Sequence, residues 1–279
     1  MNETQSFVFE NEGIRGGIVR LRETWLQTIA QHAYSPDVRE LLGEAVAATV
    51  LLGASLKDRP KISIQMQGEG AVRLLVVQCS EELRVRAMAQ HDRTSTDALL
   101  ADGRLSVHVD TGRENGYFQG IVPLVGTRIG ECLESYLHQS EQLPSRLILF
   151  CDQTQACGLI LQMLPGASSR DEFETVCALA GTLNAAELAT SDSSSLLRKL
   201  FGSFDVRLFS SREVTHDCRC TPEHLAGITR MLGNEELESI LKERGEVELT
   251  CEFCNRAFCY TPDQVDAILR GETPESELH

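Results

Sequence analysis

The sequence predicts an α+β fold in three parts, and three observations support this prediction. Over residues 1–165, runs of β-type apolar residues are interrupted by a few long helical patterns, which is typical of helices packed on an antiparallel sheet. At Pro165 and Gly166 the pattern changes to short amphipathic helices, which we interpret as a helical linker over residues 166–217. Over residues 218–279, closely spaced cysteines mark a small C-terminal domain.

The N-terminal domain is predicted to contain two main helices. Ser35, Pro36 and Asp37 supply an N-cap, a proline at the first helical position and an acidic first turn, so a long helix should begin there. Apolar residues continue this helix to Leu52 at helical spacing. A second, amphipathic helix is predicted over residues 127–139.

Strands are predicted where β-branched and other apolar residues form short runs. Residues 68–70 join two such runs as the turn of a hairpin, whereas Gly16 and Gly17 are interpreted as a turn or bulge. The predicted strands cover residues 61–67, 71–78, 83–89, 105–110, 117–124, 147–151 and 159–164.

The predicted linker contains helical patterns over residues 172–183 and 195–201, broken by Gly181 and by a polar stretch. Helices this short are marginal in isolation, so they depend on docking against other parts of the protein. A plain helical linker and a metastable segment that melts with its neighbours both fit this pattern.

The C-terminal domain is predicted to contain helices over residues 222–232 and 234–244, a hairpin over residues 246–260 and a last helix from Thr261 to Leu269. Cys218 and Cys220 precede the first helix, and Cys251 and Cys254 lie at the hairpin turn. Two close cysteine pairs separated by one small supersecondary unit can converge on one tetrahedral zinc. We therefore predict one Zn²⁺ per chain, in the reduced state.

A zinc with four thiolate ligands has no open position for a catalytic water, which excludes a zinc hydrolase. It can instead supply folding free energy to a unit too small to bury much apolar surface. A thiol oxidoreductase using Cys251 and Cys254 is disfavoured, because the flanking residues have strand patterns and such motifs usually begin a helix. We therefore expect no enzymatic activity.

Charge and composition restrict the partners and the compartment. The chain has a net charge of −15, and residues 218–279 carry six Lys or Arg against thirteen Asp or Glu. This balance opposes binding to nucleic acid or anionic membranes, and with it a zinc-ribbon role in transcription or translation. The first residues lack a signal-peptide pattern, so we expect a cytoplasmic protein whose ten cysteines are mostly reduced.

Oxidation of the clustered cysteines is the other property to consider. Residues two apart on an extended strand have Cα atoms roughly 6.6 Å apart, at the upper limit of disulfide geometry, so joining Cys218 to Cys220 requires local distortion. Any disulfide would also consume two zinc ligands, so the zinc-bound and oxidised states exclude each other. A permanent structural zinc that never reacts remains the alternative, because spacing does not report how well the sulfurs are shielded.

Several short stretches, spread over nearly the whole chain, match a known family: residues 32–34, 41–45, 56–57, 65–70 and 139–145. The two cysteine pairs match the same family in order and spacing. On these grounds the chain resembles the 33-kDa heat-shock protein family of bacterial redox-regulated chaperones.

The resemblance implies a holdase, an ATP-independent chaperone that binds unfolding proteins and prevents their aggregation. It implies that Cys218, Cys220, Cys251 and Cys254 bind zinc in an inactive reduced form. Oxidation would then form Cys218–Cys220 and Cys251–Cys254 disulfides, release zinc and unfold the linker. Active members are homodimers that pass clients to ATP-dependent foldases. The client-binding residues are not identified by any motif.

Other cysteines and histidines are weaker candidates. Cys259 is interpreted as a small hydrophobic residue on a strand, with an alternative role as ligand or disulfide partner. His216 and His224 flank the first pair and are minor candidates as substitute ligands. The remaining cysteines are interpreted as core residues: Cys79, Cys132, Cys151, Cys157 and Cys177.

Overall fold

A computed structural model describes residues 1–57, 60–95, 97–113, 116–166, 169–218, 220–272 and 277–278. The chain divides into two compact units. The larger comprises Met1–Ile29 and Ala33–His216, and the smaller comprises Ala30–His32 and Asp217–His279. The predicted α+β class is confirmed, because both units combine helices with mainly antiparallel sheets.

The larger unit contains two sheets with helices packed on them. Its strands are β1 (Asn2–Phe9), β2 (Ile14–Leu21), β3 (Lys61–Gly68), β4 (Val72–Cys79), β5 (Arg84–His91), β6 (Gly103–Asp110), β7 (Tyr117–Pro123), β8 (Ser145–Cys151), β9 (Ala156–Met163), β10 (Val206–Leu208), β11 (Arg212–Glu213) and β12 (Thr215–His216). Its helices are α1 (Glu23–Ile29), α2 (Pro36–Ser55), α3 (Ile129–Ser140), α4 (Arg170–Ala180), α5 (Ala185–Thr190) and α6 (Ser193–Phe201).

The first sheet has the order β10-β1-β2-β9-β8, and β11 also pairs with β1. The second has the order β12-β5-β4-β3-β6-β7, in which only the β12–β5 pairing is parallel among the described strands. Strands that are neighbours in sequence are mostly neighbours in the sheets, so antiparallel pairing follows from short connections.

Helix α2 lies against both sheets and forms the centre of the main core. It begins where the sequence predicts, because the Ser35 hydroxyl accepts a hydrogen bond from the Val38 N–H and Pro36 occupies the first turn. Its Leu, Val and Ala side chains are buried on nearly every side. The one buried acid on this helix, Glu44, pairs with Arg128.

Helices α4, α5 and α6 lie on the opposite face of the first sheet. Asn184 and Asp192 cap α5 and α6 with their side chains, and Ser169 caps α4. The apolar sheet side chains beneath these helices are called here the covered face: Phe7, Phe9, Ile14, Ile18, Leu159 and Leu161. The helices contribute Phe173, Val176, Ala180, Leu183, Leu188, Leu196, Leu197, Leu200 and Phe201 to the same cluster.

Residues 206–216 have an extended backbone and add short strands to the edges of both sheets. Strands β10 and β11 pair with β1, and β12 pairs with β5. Val214 lies between them, fully buried in the main core, where its N–H donates to the Asn2 carbonyl and its carbonyl accepts from Thr24. Within the predicted linker, the sequence indicated only helices over residues 172–183 and 195–201, so α5 and these short strands are additions to the prediction.

The interpretation of Gly16 and Gly17 as a turn or bulge is wrong. Both lie inside β2, in unbroken register with β1 and β9. A Cβ at Gly16 would lie 2.2 Å from Cζ of Phe7 and 2.8 Å from the carbonyl oxygen of Ile160. Glycine is therefore required here so that the Phe7 ring can lie across the strand.

The smaller unit contains helices on one three-stranded sheet. Its elements are α7 (Pro222–Leu232), α8 (Asn234–Arg244), β13 (Val247–Thr250), β14 (Ala257–Tyr260), α9 (Pro262–Leu269) and β15 (Glu277–Leu278). Thr261 and Gln264 form a capping box at the start of α9, where the sequence predicts a helix. The core of this unit is small: Cys220, Leu225, Ala226, Leu237, Val247, Phe258, Tyr260, Val265 and Ile268.

Candidate metal centre

The four clustered cysteines are placed by two different local structures. Cys218 and Cys220 follow β12 and precede α7, whose N-cap is Thr221. Cys251 and Cys254 lie in the turn between β13 and β14. The pairs that are remote in sequence are thus brought together by one hairpin and the start of one helix.

The hairpin turn has a compact backbone geometry that holds Cys251 and Cys254 close to each other. The Cys251 N–H donates to the Arg256 carbonyl at 2.9 Å, and the Asn255 N–H donates to the Cys251 carbonyl at 2.7 Å. Asn255 has a φ of 53°, the left-handed conformation that asparagine tolerates better than most residues. These two hydrogen bonds close a tight turn that contains both Cys251 and Cys254.

The four Sγ atoms lie within 4.8 Å of one another. The Cys218 and Cys251 sulfurs are 3.5 Å apart, and the Cys220 and Cys254 sulfurs are 3.3 Å apart. Four sulfurs at about 2.3 Å from a tetrahedral zinc are separated by about 3.8 Å. The cluster therefore has the donor atoms and the size needed to hold one metal ion.

The protonation of these thiols depends on their proximity. Burial raises the pKa of Cys218, and hydrogen bonds with the neighbouring thiols raise it further. Burial also raises the pKa of Cys220, to about 11. At Cys251 burial acts in the same direction, but hydrogen bonds from the backbone N–H groups of Cys254 and Phe253 outweigh it and lower the pKa. Four adjacent thiolates repel one another strongly, so their full ionisation requires a cation among them.

The other predicted candidates lie outside this cluster. Among the described residues, the group of potential ligands contains the four cysteines and neither Cys259, His216 nor His224. Cys259 is a half-buried residue of β14, opposite Glu248 of β13. The His216 Nδ1 lies 3.3 Å from the Thr28 hydroxyl.

The remaining cysteines are buried or half-buried, in agreement with the core interpretation. Burial raises the pKa of Cys79 and Cys157 to about 12, and that of Cys177 to about 11. Their thiols are therefore protonated at neutral pH and less reactive than an exposed thiolate.

Comparison with known proteins identifies the family. The profile of the family described as Hsp33 protein matches residues 2–261. The chain belongs to the Hsp33 family.

Three relatives show how far the similarity to Hsp33 proteins extends, and each is named 33 kDa chaperonin. The protein of Shewanella sp. strain MR-4 is 39% identical over 96% of this chain and 95% of its own length. Those of Nitrosococcus oceani and Methylobacillus flagellatus are 39% and 36% identical, over 93% and 94% of this chain and 91% of their own lengths.

The fold is also similar to a solved structure. The crystal structure of the 33 kDa chaperonin, an Hsp33 homologue, from Thermotoga maritima superposes with a TM-score of 0.84. It covers 97% of this chain and 99% of its own, at 23% sequence identity. The family resemblance is confirmed, and the protein belongs to a chaperone family and not to an enzyme family.

The covered face was not predicted from the sequence. The signal was present, because Phe7, Phe9, Ile14 and Ile18 alternate with other residues along β1 and β2. The alternation alone did not indicate which helices cover these side chains, because it contains no information about the partner α4–α6.

In the described part of the chain, no helix is long and apolar enough to cross a membrane.

Proposed function

We propose that the protein is a redox-regulated, ATP-independent holdase whose zinc-bound, reduced form is inactive. The observation that carries this proposal is the convergence of four thiols immediately after a segment whose helices cover an apolar sheet face. A sensor and the element that it would release are therefore consecutive in the chain. Membership of the Hsp33 family supports the client class, which is unfolding protein.

Zinc suits the proposed site because soft thiolate ligands in tetrahedral geometry favour it. Cys218, Cys220, Cys251 and Cys254 would hold it. When bound, it supplies folding free energy of about 10–16 kcal/mol, on the scale of zinc-finger peptides. The small core of the C-terminal unit makes such a contribution decisive. The static alternative, a zinc-ribbon protein without switching, has the same ligands and differs only in reactivity.

The proposed switch is a two-electron oxidation within each pair. The thiolates of Cys218 and Cys220 together lose two electrons to form one disulfide, and those of Cys251 and Cys254 do the same. Two equivalents of peroxide take up these four electrons, with four protons from the solvent, and are reduced to water. Each disulfide removes two of the four metal ligands. The cluster can then no longer hold zinc, and the C-terminal unit loses much of its stability.

Release of the linker would expose the covered face. Phe7, Phe9 and Ile18 are nearly fully buried beneath α4–α6, and with their neighbours they form a continuous apolar surface. Such a surface binds the apolar segments of unfolding proteins through the hydrophobic effect. Homodimerisation of the active form, transfer of clients to ATP-dependent foldases and a cytoplasmic location belong to the same proposal.

The test is oxidation of the purified protein with peroxide under mild heat. We expect release of about one zinc per chain, formation of two disulfides and, in parallel, suppression of client aggregation. Light scattering of a thermally unfolding client, zinc release and thiol titration are measured on the same samples. Complete thiol oxidation without a change in client aggregation would leave only the static zinc protein.

A further inference from the structure

Strand β7 is the exposed edge of the second sheet. Its partner is β6, and within the described part of the chain no strand lies beyond it. Three large apolar side chains of this strand are mostly exposed: Tyr117 at 60%, Phe118 at 61% and Ile121 at 55%. Residues 117–123 contain no charged side chain. Exposed edge strands usually carry charges that prevent pairing with another chain, and β7 lacks them.

The hydrogen-bond pattern shows which backbone groups of β7 face outward. The Thr111 N–H donates to the Gly116 carbonyl, and the Leu124 N–H donates to the Gly103 carbonyl, so these residues form hydrogen-bonded pairs at the two ends of the ladder. Because such pairs alternate along an antiparallel ladder, Phe118, Gly120 and Val122 bond to β6. The N–H and C=O groups of Tyr117, Gln119 and Ile121 therefore point away from the sheet.

The edge is held in place by α3. A Cβ at Gly120 would lie 2.5 Å from Cε2 of Tyr136, so the backbone of β7 lies directly on this ring. Val122 is buried in the main core. The outward groups are thus presented by an ordered, anchored strand with little conformational freedom left to lose on binding.

Two occupants could cover the β7 edge, a second copy of this chain or an extended peptide, and the size of the exposed surface distinguishes between them. A fully buried aromatic side chain covers about 150–250 Å², so the three exposed side chains offer roughly 300–400 Å² per chain. A stable protein–protein complex buries about 800 Å² per partner. The edge is too small to hold a stable dimer, but it suits one added strand, for which backbone hydrogen bonds supply further binding.

We propose that β7 binds a short, extended, uncharged segment of unfolded polypeptide as an added strand. Backbone hydrogen bonds to residues 117, 119 and 121 do not depend on the sequence of the segment. Alternate apolar side chains of the segment contact Tyr117 and Ile121 on one face of the sheet and Phe118 on the other. The high negative charge of the chain disfavours acidic segments.

The identity of the occupant rests on the proposed chaperone function, but the site does not rest on the redox switch. The β7 edge is exposed while α4–α6 cover the first sheet. Weak binding is therefore expected in the reduced form, and exposure of the covered face adds a second contact for the same client. Two linked contacts bind a long unfolded chain far more tightly than either alone.

The test uses the full, reduced, zinc-loaded chain and a terminally blocked seven-residue peptide of alternating valine and threonine. Amide exchange is followed by NMR. We expect saturating peptide to slow exchange at Tyr117, Gln119 and Ile121 by about tenfold or more. A peptide N-methylated at every residue, which has no N–H group on either edge, should have no effect. Protection at other residues, or equal protection by the methylated peptide, would overturn the proposal.

A matched pair of variants completes the test. Ile121→Lys places a charge on the edge and should abolish peptide protection, whereas Val125→Lys, just beyond the strand, should preserve it. Protection of β7 that appears on concentrating the protein without peptide would show self-association and overturn the proposal. If the oxidised wild type suppresses aggregation and Ile121→Lys still binds peptide, the edge proposal alone fails. If peptide binds β7 but no oxidised protein suppresses aggregation, the chaperone proposal alone fails.

Discussion

Replacement of Phe201 by alanine should release the linker helices without oxidation. Phe201 ends α6 and is 1% exposed, and its ring lies 5.1 Å from that of Phe9 and 6.3 Å from that of Phe7, measured between centroids. Removal of a buried phenylalanine side chain costs about 3–5 kcal/mol. This loss acts on the docking of α6 on the covered face, because Phe201 contacts the sheet across that interface.

A loss of about 3–5 kcal/mol raises the ratio of released to docked linker roughly 100- to 4,000-fold. Amide exchange over α4–α6 should accelerate by a similar factor in the reduced protein, while exchange in α2 stays slow. Suppression of client aggregation should appear without peroxide. Both effects follow from one event, the exposure of the covered face.

The matched control is Phe209→Ala. Phe209 lies in the same segment but is 41% exposed, so the same substitution should leave linker exchange unchanged. The reasoning is refuted if the Phe201→Ala protein has wild-type exchange over α4–α6. It is also refuted if the linker is released but the reduced protein does not bind clients, because the covered face would then not be the client surface.

Three further predictions concern a buried cation, the metal ligands and a buried acid. Arg20 is 4% exposed and donates to the Leu188 carbonyl and the Ser193 hydroxyl of the linker. Arg20→Met should weaken linker docking by about 1–3 kcal/mol, because the loss of two charge-assisted hydrogen bonds outweighs the gain from no longer burying a charged guanidinium. Amide exchange over the linker should be unchanged in the exposed control, Arg22→Met. Cys251→Ser combined with Cys254→Ser should abolish stoichiometric zinc in metal analysis, whereas Cys259→Ser should retain it; the reverse pattern would mean different ligands. Burial raises the pKa of Glu44 despite its pairing with Arg128, so its protonation favours folding and this contribution is lost as pH rises from about 4.3 through the raised pKa. Urea unfolding of Glu44→Gln should show a flatter dependence on pH in that range, and an unchanged slope would contradict the assignment.

Local signals predicted much of the fold. The Ser35 cap and Pro36 located the start of α2, and the Thr261 cap located α9, because helix ends depend on a few neighbouring residues. The hairpin β3–β4 was predicted for a similar reason, since two apolar runs flank a glycine-rich turn. In each case the information lies within a few residues of the element.

Elements that depend on distant partners were not predicted. Gly16 is required by the ring of Phe7 and by the backbone of Ile160, which is far away in sequence. Strands β10–β12 are only two or three residues long, so they contain no periodicity, and they exist because β1 and β5 offer free edges. Pairing across such distances is not visible in a local pattern.

The candidate site was more predictable than the surfaces around it. The spacing of four cysteines predicted that their sulfurs converge, because few arrangements of two close pairs in a small unit serve another purpose. Spacing contains no information on which sulfurs will join, since all four lie within one small cluster. The disulfide pairing stays a prediction from the family resemblance.

The way in which residues 206–216 are attached gives linker release a direction. This segment pairs with β1 and β5, and its last paired residue, His216, lies two residues before Cys218. A disturbance that starts at the cysteines therefore reaches β12 first, then buried Val214, then β11 and β10, and only afterwards α6. We expect the strands of this segment to separate one after another from its C-terminal end. The amide of Thr215 should therefore lose protection from exchange before that of Phe173. Each step also leaves a sheet edge unpaired, so re-closure requires the same strands to find their register again.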